Sequence, residues 1–190
     1  MKKLVIVMFL ATLSIHAFSQ KGDLTIGAKG GYVYSPEYYN GILYGLDVAY
    51  HISDPLEVVL TGLMNHKIQY KDYFKTKKEL TPYSASLDFR LYLIRMRDWA
   101  TGPVLGGQYY MVNSKTVAEG DKIQREDNFK ALGLNVGWHL RVNLTDYVKL
   151  NAGWRYSNAK DKDVEHGVSS SFDMSHHFLY LGVAYTFELR

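Results

Sequence analysis

From residue 23 onward apolar and polar residues alternate almost without interruption, the period of two that marks β-strands. The stretch ALGLNVGWHLRVNL, residues 131–144, shows it most clearly. Leu132, Leu134, Val136, Trp138, Leu140, Val142 and Leu144 share one parity; Ala131, Gly133, Asn135, Gly137, His139, Arg141 and Asn143 share the other. The segments 23–34, 42–53, 56–70, 83–93, 102–113, 148–157 and 177–189 read the same way. Within 56–70 the pattern is less clean, because Val59 and Leu63 share the parity of Glu57, Thr61, Asn65, Lys67 and Gln69. Within 102–113 the glycines at 106 and 107 blur it and leave the register open.

The connections between these segments alternate in length. Asp54-Pro55, 95–99 and 145–147 are short, whereas 35–41, 71–80, 114–128 and 158–176 are longer. Pro55 lacks an amide donor and holds a fixed φ, which suits a tight turn. About eight antiparallel strands, with tight turns at one rim and longer polar loops at the other, predict an all-β, up-and-down transmembrane barrel.

The two parities differ in a way that decides which faces inward. One is Leu, Val, Trp, Tyr and Phe; the other mixes Gly, Ala and Ser with charges of both signs. Small residues suit a narrow lumen, and opposite charges can neutralise each other there, as a buried ion requires. The predicted lumen network is Lys29, Asp47, Glu57, Asp88, Arg90, Arg141, Lys149, Arg155 and Glu188, with Lys67 of the same parity. An eight-stranded barrel is just wide enough for side chains to fill, so a plug without a diffusion pore is expected. The apolar parity then faces lipid. Tyr34, Tyr44, Tyr70, Tyr83 and Tyr156 near the loop ends, and Tyr50, Trp99, Tyr147 and Phe187 near the turn ends, would form two interfacial girdles. A soluble lipocalin-like barrel is the alternative; it would bury the apolar parity and expose His139 and Arg141.

The N-terminus adds a destination. MKKLVIVMFLATLSIHAFSQ has Lys2 and Lys3, an apolar run from Leu4 to Ile15, and small residues Ala17 and Ser19, a secretory signal expected over 1–19 with the barrel domain over 20–190. The run is too short and too interrupted for a membrane-spanning helix. No Cys follows it, which excludes a lipid-anchored lipoprotein, and Cys 0 also excludes disulfides and thiolate metal sites. Losing Lys2 and Lys3 lowers the formal charge of +3 by two, so a basic nucleic-acid-binding face is not expected.

On these residues the chain resembles the small outer-membrane β-barrels of Gram-negative bacteria, of the type of outer-membrane protein X and the transmembrane domain of outer-membrane protein A. The final strand FLYLGVAYTFEL, with Leu181, Val183, Tyr185 and Phe187 alternating, is similar to the segment recognised by the barrel-assembly machinery, although ELR follows Phe187 where the family often ends on the aromatic. The resemblance implies an integral outer-membrane protein in contact with lipid and lipopolysaccharide, with no cofactor.

Candidate chemistry is sparse. WRYSNAK, 154–160, resembles the His-x-Ser-Asn segment of the lipid A deacylases, but Arg155 stands where the imidazole that would activate Ser157 is needed. His66, His166, His176, His177 and Ser169 to Ser171 show no triad spacing. DKDVEHG, 161–167, places its glycine one position late for a calcium loop and lacks the closing glutamate, while His176 and His177 point to opposite faces; no metal site is expected. In the basic loop KDYFKTKKEL, residues Lys71, Lys75, Lys77 and Lys78 are candidates for contact with lipopolysaccharide phosphates. The expected function is a non-enzymatic scaffold without an open pore, whose loops serve adhesion, envelope stabilisation or contact with an unidentified protein partner. A lipid A-modifying barrel enzyme and an accessory subunit of an envelope complex are the alternatives.

Overall fold

The computed structural model describes residues 22–35, 40–65, 68–71, 77–117, 123–165, 168–173 and 175–188. The signal segment expected over 1–19 lies outside them. The strands are β1 (Asp23–Tyr34), β2 (Asn40–Ser53), β3 (Leu56–Asn65), β4 (Ile68–Lys71), β5 (Lys77–Leu91), β6 (Ile94–Arg95), β7 (Trp99–Val117), β8 (Ile123–Asn143), β9 (Val148–Glu165), β10 (Val168–Asp173) and β11 (His176–Glu188). Eight of them, β1, β2, β3, β5, β7, β8, β9 and β11, form the wall, each antiparallel to its neighbours. Pairing of β1 with β11, from Asp23↔Glu188 to Tyr34↔His177, closes the barrel. Closure satisfies every wall strand on both edges, which a membrane demands because hydrocarbon offers no hydrogen bonds.

The orientation follows the expected parity. Leu132, Leu134 and Leu181 are 79%, 72% and 71% exposed on the outer wall, whereas Asp88, Arg90 and Arg155 are 2–4% exposed inside it. The open register of β7 is settled: Val104, Gln108, Tyr110 and Val112 are buried in the lumen, and Leu105 and Tyr109 face out. Tyr34, Tyr44 and Tyr83 toward the loop end, and Tyr50, Trp99, Tyr147 and Phe187 toward the turn end, are exposed on the outer wall; Tyr156 is half-buried there, and the side chain of Tyr70 lies outside the description. At the turn end Tyr147 stacks on Tyr185, and Tyr185 meets Phe187 edge-on.

The two prolines inside paired strands sit where the ladder breaks. Pairing of β5 with β3 ends at Met64↔Tyr83 and resumes with β4 at Ile68↔Leu80, and Pro82 lies in the gap. Pro103 lies where β7 passes from β5, last paired at Arg90↔Val104, to β6, first paired at Ile94↔Thr101. A missing amide donor costs least at such places. The 145–147 turn is held by the Thr145 hydroxyl, which accepts hydrogen bonds from the amides of Tyr147 and Val148 at 3.2 and 2.9 Å.

The longer connections are shorter than the sequence suggested, because the strands run on past the wall. β7, β8 and β9 have 19, 21 and 18 residues, against the roughly 9 to 11 that cross a membrane. β7 and β8 stay paired out to Val117↔Ile123, and β9 pairs with β10 from Lys160↔Asp173 to Glu165↔Val168. The seam between β8 and β9 ends at Gly133↔Ala159. Beyond it, two separate projections rise from the rim: β4, β5, β7 and β8 on one side, β9 and β10 on the other.

Candidate functional site

The lumen is built from the inward parity of every wall strand, and its polar part is an ionic layer made of two clusters. Asp47 on β2 accepts from Lys29 Nζ on β1 at 2.8 Å, from Arg90 Nη2 on β5 at 3.1 Å and from the Thr61 hydroxyl on β3 at 2.7 Å. Glu57 on β3 meets Arg141 Nη1 on β8 and His51 Nε2 at 2.7 Å each, Arg90 Nη1 at 3.7 Å, and the Tyr92 hydroxyl, which donates at 2.6 Å. Arg90 thus bridges the two carboxylates. A third carboxylate, Asp88, accepts from Arg155 Nη1 at 3.0 Å, from the Ser86 hydroxyl at 2.9 Å and from Asn135 Nδ2 at 2.8 Å. Ser157 extends this cluster by donating toward Asn135 Oδ1 at 2.7 Å and Gln108 Oε1 at 3.1 Å. Each buried carboxylate therefore has a cationic partner and neutral donors besides, the condition under which ions survive away from water.

Aromatic rings frame the ions. Arg141 lies 4.3 Å from the Tyr92 ring centroid, Lys29 4.9 Å from that of Tyr180, and Arg155 5.7 Å from that of Phe178. Tyr180 reaches His139, whose Nδ1 is 3.0 Å from its hydroxyl, by lying across Gly153 on the same rung. A Cβ on Gly153 would stand 2.5 Å from that hydroxyl and 2.6 Å from the Trp138 carbonyl oxygen, so glycine is what lets the ring pass.

The sequence-predicted lumen residues divide. Lys29, Asp47, Glu57, Arg90 and Arg141 come together in one cluster, and Asp88 with Arg155 in the second. Lys149 is buried near the turn end without an ion pair among the described residues. Glu188 is a correction: it is exposed, because β11 ends there at the rim opposite Asp23, where water rather than lumen surrounds it. Lys67 lies outside the described residues. His51, Thr61, Tyr92, His139 and Tyr180 belong to the network as well, and the parity that selected the ions includes all five.

Toward the loop end the lumen also carries an apolar cluster. Val33, Leu43, Leu63, Tyr110, Val112, Ala131, Ala159, Phe178 and Tyr180 pack together there, with Phe129 against them. Tyr110 and Phe178 are the largest fully buried side chains. The lumen thus carries an ionic layer and, above it, an apolar plug; Leu63, which broke the alternation of its strand, is part of that plug.

The other candidates fall elsewhere. Ser157 and Arg155 face the lumen, away from lipid, where Ser157 bonds the amide oxygens of Asn135 and Gln108 and stands opposite His176 on β11. Asp161–Glu165 belong to the backbone of β9, paired with β10, and do not form a cation loop; His66, His166 and Gly167 lie outside the described residues. Among the described residues no cluster could hold a metal ion. His176 is buried in the lumen and His177 is half-buried on the outer wall, on opposite faces as expected. Lys75 lies outside the described residues, while the backbone register sets Lys71 opposite Lys77 and Tyr70 opposite Lys78.

A closed eight-stranded wall, apolar outside and ionic within, matches what comparison with known proteins finds. The family model for the outer membrane protein beta-barrel domain matches residues 5–187. The chain belongs to this family. It is accordingly an integral transmembrane β-barrel of the Gram-negative outer membrane. Among solved structures, a major outer membrane protein from Thermus thermophilus superposes with a TM-score of 0.63 at 16% identity, over 86% of this chain and 99% of that one. OprG of Pseudomonas aeruginosa gives 0.61 at 13%, over 90% and 98%. Ail, the attachment invasion locus protein of Yersinia pestis, solved with the heparin analogue sucrose octasulfate, gives 0.54 at 14%, over 88% and 100%. At these identities the likeness is one of fold. No curated protein matches the sequence.

Proposed function

We propose that this outer-membrane barrel is a non-conducting, non-enzymatic surface scaffold, whose wall anchors the two projections so that they meet partners outside the cell. One observation carries the reading: the ionic layer and the apolar plug lie in series across the lumen, while the longest strands continue beyond the wall. The candidate nucleophile Ser157 is buried inside the barrel, away from lipid, and donates to the amide oxygens of Asn135 and Gln108. The projections are the part of the molecule available for adhesion, envelope stabilisation or contact with a protein partner. The test is electrical: purified protein in a planar bilayer passes no sustained current, and a steady open-channel conductance overturns the reading.

The lysines of the 68–80 hairpin belong to the same proposal. The backbone register sets Lys71 opposite Lys77 on adjacent strands, a placement of like charges that a polyanion would favour. Lipopolysaccharide phosphates at the outer surface, met by Lys71, Lys75, Lys77 and Lys78, supply one. Replacing all four with Gln lowers the lipopolysaccharide that co-purifies; unchanged co-purification removes the idea.

A further inference from the structure

The outer wall is apolar along its height, so a polar group fixed on it calls for a partner. His177 on β11 is such a group. Its neighbours on the same rung are Tyr34 on β1 and Tyr156 on β9. The imidazole lies 4.9 Å from the Tyr156 ring, 5.8 Å from that of Trp154 and 6.4 Å from that of Tyr34, centroid to centroid, and is stacked on the last two. Trp154 Nε1 donates to His177 Nδ1 at 3.3 Å. An indole N–H can only donate, so Nδ1 carries no proton and Nε2 must. Among the described residues nothing accepts from that Nε2–H. An unmet donor facing hydrocarbon is costly.

The height of the ring resolves the conflict. His177 is eight residues along β11 from Tyr185, which stacks in the turn-end girdle. At ~3.4 Å per residue and a tilt of ~40° that separation is roughly 20 Å along the membrane normal, comparable to an apolar band about 25 Å tall. The surface turns polar just beyond it: Asn158 is exposed, and the Ser175 hydroxyl lies 3.4 Å from Asn158 Oδ1. The imidazole therefore sits where acyl chains give way to headgroups. We propose that His177, fixed by Trp154 and framed by Tyr34 and Tyr156, is a binding site for one phosphorylated glycolipid headgroup of the outer leaflet. Nε2–H donates to a phosphate or ester oxygen, Asn158 supplies a second polar contact, and the exposed faces of Tyr34 and Trp154 take the sugar ring. The site is separate from the lysine hairpin and does not depend on it.

The experiment uses the full mature chain in detergent, titrated with purified lipid A or with phosphatidylethanolamine and read by native mass spectrometry. Wild type retains one lipid A, and His177→Phe, which keeps the packing but loses the donor, binds it roughly tenfold more weakly, the worth of one hydrogen bond to a charged group. His177→Gln, which keeps a donor, recovers part of the affinity. Heat-modifiable gel mobility establishes that each variant is folded; should His177→Phe misfold, the tautomer in wild type, read from imidazole nitrogen shifts, stands as the test. Equal retention by wild type and folded His177→Phe overturns the proposal, as does equal retention of phosphatidylethanolamine, or a proton on Nδ1.

Discussion

Glu57 and Gly153 show how much rests on single residues in the lumen. Glu57 is the acceptor for Arg141, His51 and Tyr92 at once, with Arg90 beside it. Glu57→Gln leaves the half-buried Arg141 without a carboxylate and Arg90 with Asp47 alone, and the expected loss is about 3–5 kcal/mol, the cost of breaking a buried pair from one side. It is measured as a lower urea midpoint in refolding from detergent or vesicles; an unchanged midpoint shows that water already neutralises the site. Gly153→Ala acts by crowding. Its methyl displaces the Tyr180 ring that holds His139, for an expected loss of about 1–3 kcal/mol by the same assay. Both residues carry the inward parity, so their side was legible from sequence. Their roles were not, because the groups they meet lie far along the chain: Arg141 and Glu57 are 84 residues apart.

At the level of elements, each wall strand is an apolar stripe outward and a polar stripe inward, and the two tolerate opposite substitutions. Leu181, at the middle of β11 between Tyr185 and His177, is 71% exposed on the outer wall. Leu181→Arg is expected to weaken insertion into vesicles by about 2–4 kcal/mol, the penalty for an arginine at the bilayer midplane. If Leu181→Arg inserts like wild type, that wall position does not face hydrocarbon. The parity of β11 was readable from its residues alone. The true lengths of β7, β8 and β9 were not, since polar residues such as Ser114, Lys115 and Asp127 read as loop until their mutual pairing is known.

For the whole molecule, the ionic layer and the plug act in series, and the plug is the more easily removed. Tyr110 and Phe178 are its largest side chains and make none of the ionic contacts, apart from the Arg155 cation that lies over the Phe178 ring. Replacing both with Ala opens space at the loop end while leaving the ion pairs of Asp47 and Glu57 in place. The double variant is expected to stay folded by heat-modifiable mobility and to remain closed to sustained current, because the ionic layer still blocks the lumen. Steady conductance from it would assign the barrier to the plug alone. The projections, separated where the β8–β9 seam ends at Gly133↔Ala159, start from the plug, to which Tyr110, Val112 and Ala131 of β7 and β8 belong.

The sequence by itself determined the alternation, the number of wall strands, the tight-turn rim and the face turned to lipid. Each of these is written into neighbouring residues, and a period of two needs no distant information. Only the tertiary structure decided which cation meets which carboxylate, that apolar residues cap the lumen at one end, that Glu188 falls at the wet rim, and that a histidine on the outer wall has its tautomer set by a tryptophan. Those depend on register across a closed sheet, where a shift along one strand changes every partner while leaving each strand's own pattern intact.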